Sequence, residues 1–258
     1  MVQIIDVNEE NIDKYGLFCR KSYMKSEGNQ NKVKWLKERF KEGLKYKLLI
    51  VKERGKDTSR GFVEYIPGEY NWRGIDAKGW MVIHCLWVTG QAKKKGNGSR
   101  LVKEVIKDAK EQGLYGVVAM TADKQGWMPN PKIFEKHGFK KVAEMEPYFK
   151  LYALAFSENA PSPKFHPISE KNAEKYKDGV TILYSAQCPH VSDLIKEVDE
   201  HCTSKSINFK AIKMTKCSEA QQGGIHPYGL YSCLCNGKVI SYKPGMRKET
   251  IERINKCI

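Results

Sequence analysis

GWMVIHCLWVTGQAKKKGNGSRLVKEVIKDAKEQG, residues 79 to 113, is the stretch whose reading decides the fold. Its apolar run Met81 to Val88 has the length and composition of a buried strand, and Leu101, Val102, Val105, Ile106 and Ala109 then recur at helical spacing. Between them lies Lys93-Lys94-Lys95-Gly96-Asn97-Gly98-Ser99, a basic turn with two glycines, followed by Arg100. A strand, an anion-binding loop and a helix follow one another. The first amides of a helix have no intrahelical acceptor and the helix dipole is positive there, so lysine charge and free N–H groups together favour a phosphate or pyrophosphate. Tyr115 to Thr121 is again strand-like, and a strand, helix, strand unit of this length makes a parallel pair.

Toward the N-terminus, Tyr46 to Lys52 and Arg60 to Ile66 read as two strands of a meander, and Val2 to Val7 as a further strand. Asn8 to Arg20 reads as a helix capped by Asn8, and Asn31 to Glu42 as an amphipathic helix with Val33, Leu36 and Phe40 on one stripe. Toward the C-terminus, Asn130 to His137 is a short helix stopped by Gly138, and Phe139 to Met145 and Tyr148 to Phe156 are strands. Residues 157 to 179, SENAPSPKFHPISEKNAEKYKDG, hold three prolines and few apolar side chains. They divide the chain into a domain over 1–157, a linker over 158–178 and a second domain over 179–258. The second half reads as strand 180–184, helix 191–201, strand 208–214, a hairpin of 230–235 and 238–242 turning at Asn236-Gly237, and a terminal helix 248–256. The fold class is α/β (α+β): a mixed sheet flanked by helices, with a smaller α/β domain behind it.

At 258 residues, with 41% apolar and 29% charged side chains, the chain is long enough for two cores. No apolar run approaches the roughly 20 residues that span a bilayer, so no membrane partner is expected. The opening MVQIIDVNEENIDKY lacks the features of a signal peptide, and a cytoplasmic location is the expectation. On that basis the eight cysteines, Cys19, Cys85, Cys188, Cys202, Cys217, Cys233, Cys235 and Cys257, are expected as thiols rather than disulfides. The net charge of +15 is scattered along helix-like faces without a recognition motif, which favours anionic small ligands over nucleic acid.

Two motifs then combine. Lys93-Lys94-Lys95-Gly96-Asn97-Gly98 is followed by Asn130 and by Phe134-Glu135-Lys136-His137-Gly138-Phe139. Over residues 1 to 155 the chain resembles the GNAT superfamily of N-acetyltransferases, whose loop reads Arg or Gln, two residues, Gly, one residue, Gly or Ala, with Lys93 here at the first position. The resemblance implies acetyl-CoA as cofactor. Its pantetheine would pair with the backbone of Leu86, Trp87 and Val88 in a splay between two strands. Its pyrophosphate would rest on amides from Lys94 to Ser99, with Arg100 nearby, and Asn130 would bond the pantetheine arm. The substrate would be a primary amine of a small molecule or peptide, and a homodimer is compatible with the family. An alkylammonium near pKa 10.4 lies about 3.4 units from neutrality at pH 7, a cost of roughly 4.6 kcal/mol, so a general base is expected. His84, at a position where the family often has Glu, is the first candidate and Glu64 the second; the alternative is a hydrogen-bonded core histidine and a solvated strand carboxylate. Where the family commonly has a Tyr as general acid, this chain has Phe134, leaving Tyr115, Tyr148 and Tyr152 as substitutes.

In the second half, Cys188-Pro189-His190-Val191 sits where a thioredoxin-like fold carries its active-site cysteine, and this half resembles the small YoaP-like domain found behind some acetyltransferases. The helix dipole would favour a Cys188 thiolate, and Val191 stands where a second cysteine would be. A buried structural cysteine is the alternative. Cys233-x-Cys235 puts two side chains on one face of a strand, as packing or a soft metal would, and no metal is assigned. The leading function is an acetyl-CoA-dependent N-acetyltransferase with an accessory thioredoxin-like domain. The other is a coenzyme A sensor or thiol-redox module using Cys188.

Overall fold

The computed structural model describes residues 2–123, 127–168, 171–221 and 225–258. In chain order the elements are β1 (Val2–Val7), α1 (Ile12–Tyr15), α2 (Glu27–Phe40), β2 (Lys45–Glu53), β3 (Lys56–Pro67), β4 (Ile75–Asp76), β5 (Met81–Val88), α3 (Asn97–Glu111), β6 (Gly116–Thr121), α4 (Lys132–Glu135), β7 (Lys140–Met145), β8 (Phe149–Ala155), β9 (Lys164–Phe165), α5 (Lys171–Glu174), β10 (Val180–Tyr184), α6 (Val191–Ser204), β11 (Phe209–Lys213), α7 (Cys217–Gln221), β12 (Tyr231–Cys235), β13 (Lys238–Ser241) and α8 (Arg247–Cys257). They gather into two compact units. The first comprises residues 1–21, 36–71 and 75–165, and the second residues 22–35, 72–74 and 166–258.

The first unit is built on a seven-stranded sheet of order β1-β2-β3-β5-β6-β8-β7. Only β5 and β6 run parallel, joined by α3; the other neighbours are antiparallel. Leu101, Val102, Val105 and Ala109 of α3 are fully buried against Leu49, Val63, Tyr65, Met81, Ile83, Val117 and Ala119. All six residues of β6 are buried, which is why that strand is an unbroken apolar run. One polar network ties the helix to the sheet: Lys47 Nζ of β2 reaches Glu104 at 2.9 Å and Asp108 at 3.1 Å, and the Tyr65 hydroxyl donates to Asp108. Burial pulls the Lys47 ammonium down, but its bonds to the two carboxylates outweigh that and raise it.

Three expectations change here. The helix expected over 8–20 is a single turn, Ile12–Tyr15, because Gly16 takes a left-handed φ of 66° and the Asn8 side chain closes a local turn with the amides of Glu10 and Asn11. The second helix starts at Glu27, not Asn31. The expected linker carries structure: β9 pairs with β4 through Ile75↔Phe165 and Asp76↔Lys164, the Trp80 indole donates to the Pro161 carbonyl at 3.0 Å, and α5 follows.

The second unit has a four-stranded sheet of order β11-β10-β12-β13, with β10 and β11 parallel and the others antiparallel. The β12–β13 hairpin turns at Asn236-Gly237, both with positive φ, as a two-residue turn of this kind requires. One face carries Ala173, Leu183, Ile225 and Leu234. Elsewhere Leu194, Val198 and Cys202 of α6 and Ile254 of α8 are fully buried. The expectation that every cysteine is a thiol is corrected, since Cys235 is joined to Cys257 in a disulfide. That pairing also leaves Cys233 and Cys235 unavailable as a metal pair. No helix among the described residues is long and apolar enough to cross a membrane.

Candidate functional site

The site is organised by a change in how β5 is paired. On one side it is matched to β3 along its whole length, from Pro67↔Met81 to Gly61↔Val88. On the other it is matched to β6 only at Met81, Ile83 and the residue between, and the parallel ladder ends at Ile83↔Ala119. Leu86, Trp87 and Val88 therefore have no strand partner on that edge among the described residues. Backbone N–H and C=O groups need partners, so such an edge suits water or an extended ligand. It lies at the residues where the family resemblance implies a splay.

The ladder to β3 slips at the same place: Glu64 faces Cys85 and Tyr65 faces Ile83, leaving His84 as the extra residue of a β-bulge. A bulge re-aims a side chain. Here it turns the imidazole toward β3, so that Nδ1 of His84 lies 3.4 Å from Oε1 of Glu64. Both side chains are buried, 0% and 1% exposed, so their polarity is met by protein groups rather than by bulk water. The imidazole and the carboxylate thus face each other within ion-pair distance, next to the edge where β5 and β6 part. The two residues that the sequence offered as alternatives are brought together as one pair.

Tyr46, opposite Glu64 on β2, completes this row. Its hydroxyl accepts the Phe18 amide at 3.0 Å, and its ring packs on Phe62, which in turn stacks on Phe18. Burial holds the Tyr46 phenol protonated, with Cys19 adding to the shift. Sequence reasoning missed Tyr46, Phe18 and Cys85. Nothing in a strand pattern marks a neighbour across a sheet, and only the register supplies it.

Past Val88 a single turn, Gly90–Ala92, leads into the basic loop. Lys94 and Gly96 adopt left-handed φ values of 60° and 73°, and the buried Asn97 side chain donates to the Ala92 carbonyl at 3.0 Å, which holds the loop against α3. A Cβ at Gly96 would meet nothing within 4 Å, while one at Gly98 would lie 3.2 Å from Cδ1 of Ile133 in α4. Lys93, Lys94, Lys95 and Arg100 are exposed and the first turn of α3 holds no acidic residue. The result is an open helix N-terminus with cations around it, the arrangement that binds phosphate.

The second motif divides. Asn130 is exposed and uses Oδ1 to accept the Lys132 amide at 3.0 Å, capping α4 and leaving its amide NH2 as the donor. Phe134, a residue that the second motif places with the cofactor, is fully buried, with its ring 5.3 Å from that of Phe139. Of the substitute acids, Tyr115 lies at the far end of β5, its amide bonded to the Gly79 carbonyl. The Tyr152 hydroxyl donates to Glu135 at 2.9 Å, and burial together with that carboxylate raises its pKa, which makes it a poorer acid. The Tyr148 ring packs on Phe149. Cys188 belongs to the second unit, in the turn before α6.

A split parallel ladder is thus followed along the chain by an open, basic helix start. The acetyltransferase (GNAT) family model matches residues 17–139. Over 220 residues the chain is 34% identical to YoaP, named an uncharacterized N-acetyltransferase, from Bacillus subtilis (strain 168), covering 84% of this chain and 85% of that one. The chain belongs to the GNAT family of N-acetyltransferases. Solved structures similar to it include yncA from Salmonella typhimurium, solved with acetyl-CoA, at 15% identity and TM-score 0.45, over 62% of this chain and 96% of that one. Another is a Bacillus subtilis acetyltransferase in complex with CoA, at 15% identity and TM-score 0.39, over 61% of this chain and 100% of that one.

Proposed function

We propose that the protein is an acetyl-CoA-dependent N-acetyltransferase of a primary amine on a small molecule or peptide. The observation that carries this reading is the end of the β5–β6 ladder at Ile83↔Ala119, directly before the open basic loop. An extended arm bearing a pyrophosphate at one end fits these residues: edge backbone at Leu86, Trp87 and Val88, then free amides over 94–99 with Lys93 and Arg100 beside them. Asn130 supplies an amide donor near the start of α4. Bound acetyl-CoA supplies the activated acetyl thioester. His84 removes the proton from the incoming ammonium, directly or through water, and Glu64 orients the ring and balances the charge it gains.

The second unit reads as a thioredoxin-like domain over 179–258. The support is its strand order β11-β10-β12-β13, with the parallel pair bridged by α6 and the hairpin followed by α8. A redox role for Cys188 has less behind it. Cys188 is partly exposed, while the neighbouring Pro189 carbonyl is packed so tightly that a Cβ at Gly28 would lie 2.1 Å from its oxygen.

Calorimetric titration with coenzyme A tests the cofactor. Saturable binding that falls steeply when Lys93, Lys94 and Lys95 are all changed to Ala is expected, and no binding by the wild-type chain would sink the reading. An amine panel scored by release of free coenzyme A thiol then identifies the acceptor class.

A further inference from the structure

The Cys235–Cys257 disulfide joins the middle of the small sheet to the last turn of the terminal helix. Besides the disulfide, α8 is held by few buried groups. Thr250 and Ile254 are its only fully buried side chains among the described residues. Its other attachments are polar: Lys243 Nζ to Glu249 at 3.2 Å and the Thr250 hydroxyl to Ser241 Oγ at 3.5 Å, and nearer solvent Asn255 Oδ1 to Nε2 of His201 and to Nζ of Lys205, each 2.9 Å, Arg247 to Glu197, and Arg253 to the Ile240 carbonyl. Exposed pairs of this kind add little.

The other end of β12 has a different task. The loop 225–230 leads into it and is buried throughout. This loop grips Trp72–Gly74: the Gly74 amide donates to the Pro227 carbonyl at 2.8 Å, the Arg73 guanidinium lies 4.9 Å over the Tyr228 ring, and a Cβ at Gly229 would be 2.5 Å from the Trp72 carbonyl oxygen. Trp72–Gly74 is a three-residue visit to the second unit by a chain that belongs to the first on either side, at Asn71 and at Ile75. One short strand thus carries the latch at its end and this grip at its beginning.

We propose that the Cys235–Cys257 disulfide is a reversible redox latch. Oxidised, it keeps α8 and β12 in place and with them the hold on Trp72–Gly74; reduced by a dithiol, it releases α8 and loosens that hold. Cys235 is fully buried and Cys257 partly exposed, so the incoming thiolate attacks Cys257 Sγ. The S–S bond breaks, a mixed disulfide forms on Cys257, and Cys235 leaves as a thiolate that takes up a proton. The reductant's second thiol, as thiolate, then displaces Cys257. The net change is two protein thiols formed and one dithiol oxidised to its disulfide. The neighbouring buried thiols do not short-circuit the exchange: burial pushes Cys233 up to about 12 and also raises Cys202, so neither is a thiolate near neutral pH.

The experiment compares full-length oxidised protein with protein reduced by dithiothreitol, using hydrogen exchange and differential alkylation read by mass spectrometry. It does not depend on acetyl transfer, so its failure leaves the proposed enzyme standing. Reduction is expected to make Cys235 and Cys257 newly alkylatable, to speed exchange over 247–257 at least tenfold and over 72–74 and 225–230 severalfold, and to leave 97–111 unchanged. Untreated Cys257→Ser should reproduce the reduced pattern, and if that variant fails to fold, the reduced wild-type chain carries the test. Three results would overturn the latch: no disulfide in air-oxidised protein, reduction without faster exchange at 72–74, or exchange that rises equally at 97–111 because the whole chain unfolds.

Discussion

Two helices in this molecule begin directly after a strand of a parallel pair, and what covers their first turns is opposite. At α3 the approach is open: three exposed lysines, a glycine with empty space around it and no acid in the first turn. At α6 the first turn contains Asp193, and the preceding Pro189 carbonyl is met so closely by Gly28 that no larger residue fits there. Both helices have the same dipole, but at α6 the first amide, that of Val191, already bonds the Cys188 carbonyl. The difference teaches that a strand, loop and helix is only a frame: a ligand site requires that nothing of the protein's own occupy the helix start.

The comparison can be broken at the chemistry beside the open end. Glu64→Gln or His84→Ala should lower kcat by about 10²- to 10⁴-fold while leaving coenzyme A affinity nearly unchanged. A variant with wild-type kcat would remove the dyad from the reaction.

In the loop before β12, His226 accepts the Tyr228 amide on Nδ1 at 3.0 Å, and burial pulls its pKa down to about 3, with Arg73 adding to the fall. A folded-state pKa below the unfolded value of about 6.5 means that the unfolded chain binds the extra proton. The stabilisation is thus complete above pH 6.5 and is lost as pH falls toward 3, with a slope of about 1.4 kcal/mol per pH unit from this one group. Denaturant melts of wild type and His226→Gln between pH 7 and 4 should converge as the pH drops; parallel curves would contradict it.

Two glycine substitutions sharpen the contrast. Gly28→Ala should cost about 1–3 kcal/mol of stability through overpacking, with coenzyme A affinity intact. Gly96→Val should do the reverse: its Cβ meets no neighbour, but a β-branched residue at φ +73° costs roughly 1–2 kcal/mol, so the loop shifts and coenzyme A binds about tenfold more weakly. Calorimetry on both variants decides it, and equal effects on binding would erase the distinction. The smallest effect is expected from Cys188→Ser, with acetyl transfer within twofold of wild type; a larger loss would restore the thiol to the mechanism.

Much of this was legible in the residues because it rests on local patterns. Met81–Val88 is strand over the whole expected span, the helix follows the basic loop, and Asn236-Gly237 makes the hairpin. Those features are written in neighbours, through apolar periodicity and backbone preference. Gly16 could have been read as the stop for the first helix, since a glycine that takes a positive φ ends one. Gly28 could not: it lies inside a helix because the Pro189 carbonyl, far along the chain, leaves no room for a Cβ.

By its sequence alone the chain determined the order of its elements, the parallel unit around α3, the basic loop before it and the list of groups able to do acid–base work. Only the tertiary structure decided that His84 and Glu64 form a pair, that β5 and β6 part at Ile83, that Phe134 lies in the core and that Cys235 meets Cys257. The division has a physical cause. Periodicity and turn chemistry act over a few residues, whereas a one-residue bulge, the end of a ladder or a disulfide depends on which backbone lies alongside, and that is set when the sheets assemble.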